Sequence, residues 1–176
     1  AIHALGRWVL AEACRQLAAW HAAAPAGVPP GVAVNISGRQ LEAPGFVGEV
    51  TAVLAATGAP AAALTLEITE SVLMQDADAT LATLGALKAL GVRLAIDDFG
   101  TGYSSLRYLQ QFPVDVLKID KSFVDRVGRG GTEAALARTV IALGATLGVR
   151  TVAEGVEDPA QREALCALGC DDGQGY

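Results

Sequence analysis

Arg93-Leu94-Ala95-Ile96-Asp97-Asp98-Phe99-Gly100-Thr101-Gly102-Tyr103-Ser104-Ser105 reads as a short apolar strand that ends in two adjacent carboxylates and runs on into a loop with two glycines. Alternation along a strand puts Leu94 and Ile96 on one face and Ala95 and Asp97 on the other. Asp97 thus leaves the strand on the face opposite its larger apolar residues, and Asp98 opens the loop. Two adjacent anionic side chains repel each other unless a positive charge lies beside them. A divalent cation meets that need. A cap on the following helix is the other common use of Asp, and the rest of the chain chooses between them.

Outward from this stretch, strand and helix alternate. Upstream, the spacing predicts helices over residues 2–23, 44–57 and 78–90. Leu5, Val9, Ala13, Leu17 and Trp20 face inward on the first, and Phe46, Val50, Val53 and Leu54 on the second. Strands are predicted over 32–37 and 64–70, and the Pro- and Gly-rich run 24–31 is a loop. Downstream come a short helix over 104–111, a strand over 116–120, and a helix with Thr132 as N-cap that places Leu136, Val140, Leu143 and Leu147 on one face. A strand over 151–154 follows, then a helix capped by Asp158, opened by Pro159 and stopped by Gly169. Leu90-Gly91-Val92-Arg93 and Leu147-Gly148-Val149-Arg150 repeat one pattern, a helix stop feeding a strand. This order predicts an α/β fold of parallel strands covered by helices, with five complete strands and the start of a sixth at Gln174-Gly175-Tyr176.

The 176 residues are 52% hydrophobic and 18% charged with a mean hydropathy of +0.37, which suits one globular domain and excludes disorder. A net charge of −6 and a pI of about 4.8 offer no basic surface for duplex nucleic acid. An anionic ligand would need metal ions or local cations. Cys14, Cys166 and Cys170 read as free thiols of a reducing, cytoplasmic compartment. Cys166 and Cys170, a helical turn apart with no histidine nearby, read as core thiols rather than zinc ligands. His3 and His21 read as surface residues. No apolar run is long enough to span a membrane, no signal peptide begins at Ala1, and both ends of the chain look cut.

Each predicted strand ends in a residue that can bind metal or handle protons: Asn35, Glu67, Asp97 with Asp98, Lys118 with Asp120, Glu154, and Gln174. Successive ends are 32, 30, 21, 36 and 20 residues apart, the length of a strand–helix unit. In a (β/α) barrel such ends converge on one rim, where active sites are built. The donors are oxygens, without histidine or cysteine, a set that prefers Mg²⁺ or Mn²⁺ to zinc or copper. Asp97 and Asp98 could serve two metals about 3.5–4 Å apart, the usual device for in-line attack on a phosphodiester. Lys118 adds a cation for the phosphate or the attacking water. Glu154 completes a metal shell or accepts the water's proton.

Val34-Asn35-Ile36-Ser37, Leu66-Glu67-Ile68-Thr69-Glu70-Ser71, the Asp97 to Ser105 stretch, Leu117-Lys118-Ile119-Asp120, Ala153-Glu154-Gly155-Val156-Glu157 and Gln174-Gly175-Tyr176 together resemble the EAL-domain phosphodiesterases. The order and spacing match over essentially the whole chain. The resemblance implies a TIM-like (β/α) barrel, incomplete here, that hydrolyses cyclic di-GMP to linear pGpG in bacterial second-messenger signalling, with two Mg²⁺ or Mn²⁺ ions in the intact domain. It implies Asn35, Glu67 and Asp97 as ligands of the first metal, and Asp97, Asp98 and Glu154 around the second. Lys118 is similar to the lysine that positions the water, and Gln174 to a residue supporting the site. Glu70 resembles the anchor of the Phe99 to Ser105 loop, which links metal occupancy to dimer contacts. Asp120 and Glu157 occupy acidic positions for substrate contact or support.

The partners implied are cyclic di-GMP, a second copy in a homodimer, and flanking sensory or diguanylate cyclase domains; a membrane tether on the intact protein is left open. The family's Glu-Ala-Leu signature precedes the first helix seen here. Residues 1–176 are therefore expected to be a partial domain that lacks the first two strands and the final strand and helix. Alone, the piece is expected to be inactive and to self-associate. The literal Glu163-Ala164-Leu165 lies within the last helix and has no site role. The alternative, a degenerate domain acting as a cyclic di-GMP receptor or interaction module without chemistry, is disfavoured by the filled metal and lysine positions.

Overall fold

The computed structural model describes residues 2–24, 30–73, 77–101, 106–127 and 132–176. The expectations for loop residues 25–29 and for Gly102, Tyr103, Ser104 and Ser105 lie outside the described residues. In chain order the elements are α1 (Ile2–Ala23), β1 (Val32–Asn35), α2 (Gly38–Leu41), α3 (Phe46–Thr57), β2 (Leu64–Thr69), α4 (Glu70–Leu73), α5 (Ala77–Ala89) and β3 (Arg93–Phe99). Then follow α6 (Leu106–Leu109), β4 (Val116–Ile119), α7 (Lys121–Val124), α8 (Thr132–Leu147), β5 (Arg150–Val156), α9 (Pro159–Leu168) and β6 (Asp172–Gly175). The strands keep their chain order in the sheet. The pairs β1–β2, β3–β4, β4–β5 and β5–β6 are parallel. Among the described residues no helix is long and apolar enough to cross a membrane.

The chain divides into two compact units. The first holds Ala1–Ile68, Val72–Leu94 and Gln111–Pro113. Here β1 and β2 pair from Val32↔Leu64 to Asn35↔Glu67. The first strand stops at Asn35, two residues short of the prediction, because Ser37 turns the chain: its amide and its hydroxyl both donate to Gln40 Oε1, at 3.2 and 2.8 Å. Helix α3 begins at Phe46 because Gly45 before it takes a left-handed φ of 91°. Its inward residues Phe46, Val50 and Val53 are as predicted, whereas Leu54 is only half-buried.

The inward face of α1 differs from the expected one. Leu10, Cys14 and Leu17 are buried, while Leu5, Val9 and Trp20 are exposed. Gly6 explains the rotation: a Cβ there would collide with the Gln40 side-chain amide. The helix therefore packs on α2 along the line of its small residues, and its bulkiest apolar side chains face away.

The second unit holds Thr69–Ser71, Ala95–Gln110 and Val114–Tyr176. The same rule operates in α8, where Ala134, Ala137, Val140 and Ile141 are buried and Leu136 is 40% exposed. Gly144 brings this helix onto β5, since a Cβ there would stand 2.5 Å from Thr151 Cγ2. The expected Leu136 face was the wrong stripe; only Val140 belongs to both. Thr132 is the first helical residue rather than the cap. Helix α9 is as predicted: Asp158 Oδ1 accepts from the Gln161 amide at 2.8 Å, Pro159 opens the helix and Gly169 ends it at φ 82°. Glu163-Ala164-Leu165 lies inside it. Cys166 is exposed and Cys170 half-buried, so only Cys14 is a core thiol; helix α9 turns its Leu165 inward instead.

At the β5–β6 edge, the Thr151 amide and hydroxyl both donate to Asp171 Oδ2, at 2.8 and 3.0 Å. The amide bond is the main reason the Asp171 carboxyl lies below its ordinary value of 3.8. A depressed carboxyl contributes stability that is present above the unfolded value and is lost as pH falls through the folded one. The Thr151 amide is thus expected to be protected from hydrogen exchange at pH 6 and to lose protection below about 3.8. In Asp171→Ala it should be unprotected already at pH 6, and full protection in that variant would contradict the assignment.

Candidate metal centre

Strict alternation would send the neighbours Asp97 and Asp98 to opposite faces of β3. The structure breaks the alternation. The β3–β4 register shifts between Ile96 and Phe99, and Asp98 is the one non-glycine residue with positive φ, 53°, among the described residues. Such a conformation costs about 1–2 kcal/mol, and the bulge re-aims the side chain. Strand β3 consequently runs two residues past the predicted end, through Phe99. A second irregularity follows Glu154: Gly155 has φ 67°, and the β5–β6 register shifts between Glu154 and Val156. Carboxylate oxygens of Asp97, Asp98 and Glu154 then lie within 4.8 Å of one another. At that separation two like charges repel by about 3–4 kcal/mol for an effective dielectric near 20.

Lys118 of β4 is the counter-charge. It is 6% exposed, and its ammonium lies 2.9 Å from Asp97 Oδ1 and 2.6 Å from Glu154 Oε1. One cation does not balance three carboxylates. The Asp98 carboxyl is pushed above its ordinary range by burial first, then by Asp97, Asp120 and Glu154, with Lys118 opposing. Asp97 Oδ1 is buried and accepts no hydrogen bond among the described residues, so its pairing with Lys118 is Coulombic. A buried carboxylate oxygen whose one close partner is shared with Glu154, inside a cluster of excess negative charge, fits a further cation, and oxygen donors fit a hard divalent one.

The remaining predicted residues divide by position. Asn35 and Glu67 belong to the first unit, where they are register partners; Asn35 is exposed and Glu67 is buried. Glu70 Oε2 accepts from the Gly100 amide at 2.8 Å, tying α4 to the chain after β3. Asp120 caps α7, accepting from the Ser122 amide at 3.0 Å and from its hydroxyl. Glu157 is exposed and pairs with Lys121. Gln174 is exposed on β6, in register with Glu154. The turn after β3 uses the Asp98 carbonyl, which accepts from the Thr101 hydroxyl at 2.8 Å, and leaves the carboxylate to the cluster. The partnership of Lys121 with Glu157 was missed from sequence; the one signal for it is the lysine that directly follows Asp120.

The EAL domain family model matches residues 1–176. The chain is 45% identical over 172 residues to the protein named bifunctional diguanylate cyclase/cyclic di-GMP phosphodiesterase MucR of Pseudomonas aeruginosa, covering 98% of this chain and 25% of that one. It is 48% identical over 175 residues to an uncharacterized signaling protein of Caulobacter vibrioides, covering 99% and 21%. The chain thus spans a fifth to a quarter of the length of these curated relatives. Among solved structures, the PaMucR phosphodiesterase in its c-di-GMP complex matches with a TM-score of 0.94 at 45% identity, over 99% of this chain and 70% of that one. The EAL domain of Mycobacterium smegmatis DcpA matches with 0.92 at 44% identity, over 99% and 77%. These neighbours have the TIM-barrel architecture, and the fold here is of the same α/β class, with six strands among the described residues. Matched along its whole length by the family model, this chain belongs to the EAL domain family.

Proposed function

We infer that the protein carrying this chain hydrolyses cyclic di-GMP to linear pGpG with Mg²⁺ or Mn²⁺ held by Asp97, Asp98 and Glu154. The observation that carries the reading is the buried ammonium of Lys118 set between Asp97 and Glu154, with a third carboxylate beside them. The similarity to MucR supports it, as does the likeness to a structure in complex with c-di-GMP. A divalent ion bound there supplies a Lewis acid for a phosphoryl oxygen and lowers the pKa of a coordinated water. In the hydrolysis a water oxygen forms a bond to phosphorus as the bond to the 3′ oxygen breaks. The water's proton passes to a base, and the leaving oxygen gains one. Lys118, fixed by two carboxylates, holds its positive charge where the attacking water or the phosphate stands. Glu154, paired with that ammonium at 2.6 Å, fixes the lysine while offering the metal an oxygen. The ligand roles of Asn35 and Glu67, the supporting role of Gln174, the cytoplasmic location and a homodimer with flanking domains rest on the family resemblance.

Asp97→Asn keeps the side chain's shape and removes its charge. In the full-length protein it is expected to abolish high-affinity Mn²⁺ binding by calorimetry and to lower turnover of cyclic di-GMP by at least about 100-fold. Near-parental binding and turnover would return Asp97 to a purely structural role.

Lys118→Ala tests the placement of the ammonium. Removing a group that acts on the attacking water lowers kcat, by about 100-fold or more, and leaves KM within a few-fold. A rise in KM alone would make Lys118 a phosphate anchor.

A further inference from the structure

The one-turn helix α7 touches the chain on both sides of β4, in each case at a glycine that follows a cluster carboxylate. On the β3 side, Gly100 has φ 98°, and a Cβ there would lie 3.0 Å from Phe123 Cε2. On the β5 side, Gly155 has φ 67°, and a Cβ there would lie 2.5 Å from Lys121 Cγ and 2.6 Å from Cδ. The Lys121 stem thus lies across Gly155, and its ammonium continues to Glu157. Gly100 comes two residues after Asp98, and Gly155 directly follows Glu154. The helix itself is held by the Asp120 cap on Ser122, and Asp120 is two residues after Lys118. Phe123 is buried, whereas Lys121 and Glu157 are about half exposed. An exposed ion pair adds little to stability, so the contact acts through where it places Glu154.

We propose that α7 is a bracket that sets the distance between the Asp97–Asp98 carboxylates and Glu154, with Phe123 and Lys121 as positioning residues. The proposal rests on the reading of those three carboxylates as a divalent-metal cluster. One end of the bracket bears on Gly155, within the bulge that aims Glu154, and the other on Gly100, directly after the bulge that aims Asp98. A carboxylate set displaced by a fraction of an ångström no longer offers a small hard cation its preferred geometry. Glycine is required at both positions for two reasons at once: the left-handed backbone, and the space that α7 side chains fill.

The test is calorimetric titration of the full-length protein with Mn²⁺ in the absence of nucleotide, beside its thermal unfolding. Lys121→Ala and Phe123→Ala are each expected to weaken Mn²⁺ binding about tenfold, the usual effect of losing a residue that orients ligands. Lys121→Arg, which keeps the stem and the charge, should bind as the parent does. Lys121→Ala should unfold at the parental temperature, and because its position is exposed it decides the question even if Phe123→Ala misfolds. Parental Mn²⁺ affinity in Lys121→Ala would overturn the bracket while leaving the metal reading standing. A parent that binds no Mn²⁺ would overturn both.

Discussion

Three carboxylates gathered within 4.8 Å around one buried ammonium set the constraint that the second unit of this chain is built to satisfy. Their mutual repulsion opposes folding, and Lys118 offsets only part of it. Removing one partner of such a buried pair is costly, about 3–5 kcal/mol, which makes the lysine as necessary to the fold as to any chemistry. The Asp98 carboxyl is raised by burial first and by the neighbouring carboxylates after it. A site held in this state is prepared for a further cation.

The backbone beside the cluster is strained at Asp98 and irregular around it. Asp98 takes a left-handed conformation, Gly100 and Gly155 take others nearby, and the ladder slips between β3 and β4 and again between β5 and β6. Regular strands could not bring neighbouring Asp97 and Asp98 to one place, because successive side chains point to opposite faces. The bulges solve that geometric problem. The residues that hold them, Glu70 on the Gly100 amide and α7 against Gly100 and Gly155, are consequences of the same requirement.

Much of this was legible in the sequence, and the exceptions share physical causes. The alternation of elements, the glycine stops at 58, 91, 148 and 169, and the Asp158 cap are local signals, and the structure repeats them. The parallel α/β class followed from their order. The inward faces of α1 and α8 did not follow, because both helices carry two apolar stripes. Packing chose the one with Gly6 and Cys14, or with Ala137 and Gly144, that allows a close approach. The helices α2, α4 and α7 span single turns, too short for any periodicity to show. At the site, Asp97, Asp98, Lys118 and Glu154 were visible as strand-end residues. The bulges that unite them depend on register between strands distant in sequence, which no local pattern carries.

The most direct measurement is the anomalous scattering of a crystal of the full-length protein grown with Mn²⁺. A peak is expected about 2.1 Å from carboxylate oxygens of Asp97, Asp98 or Glu154, with Lys118 still beside Glu154. A map with no such peak at saturating Mn²⁺, and Lys118 bridging Asp97 and Glu154 unchanged, would contradict it: the cluster would then be a structural ion-pair network.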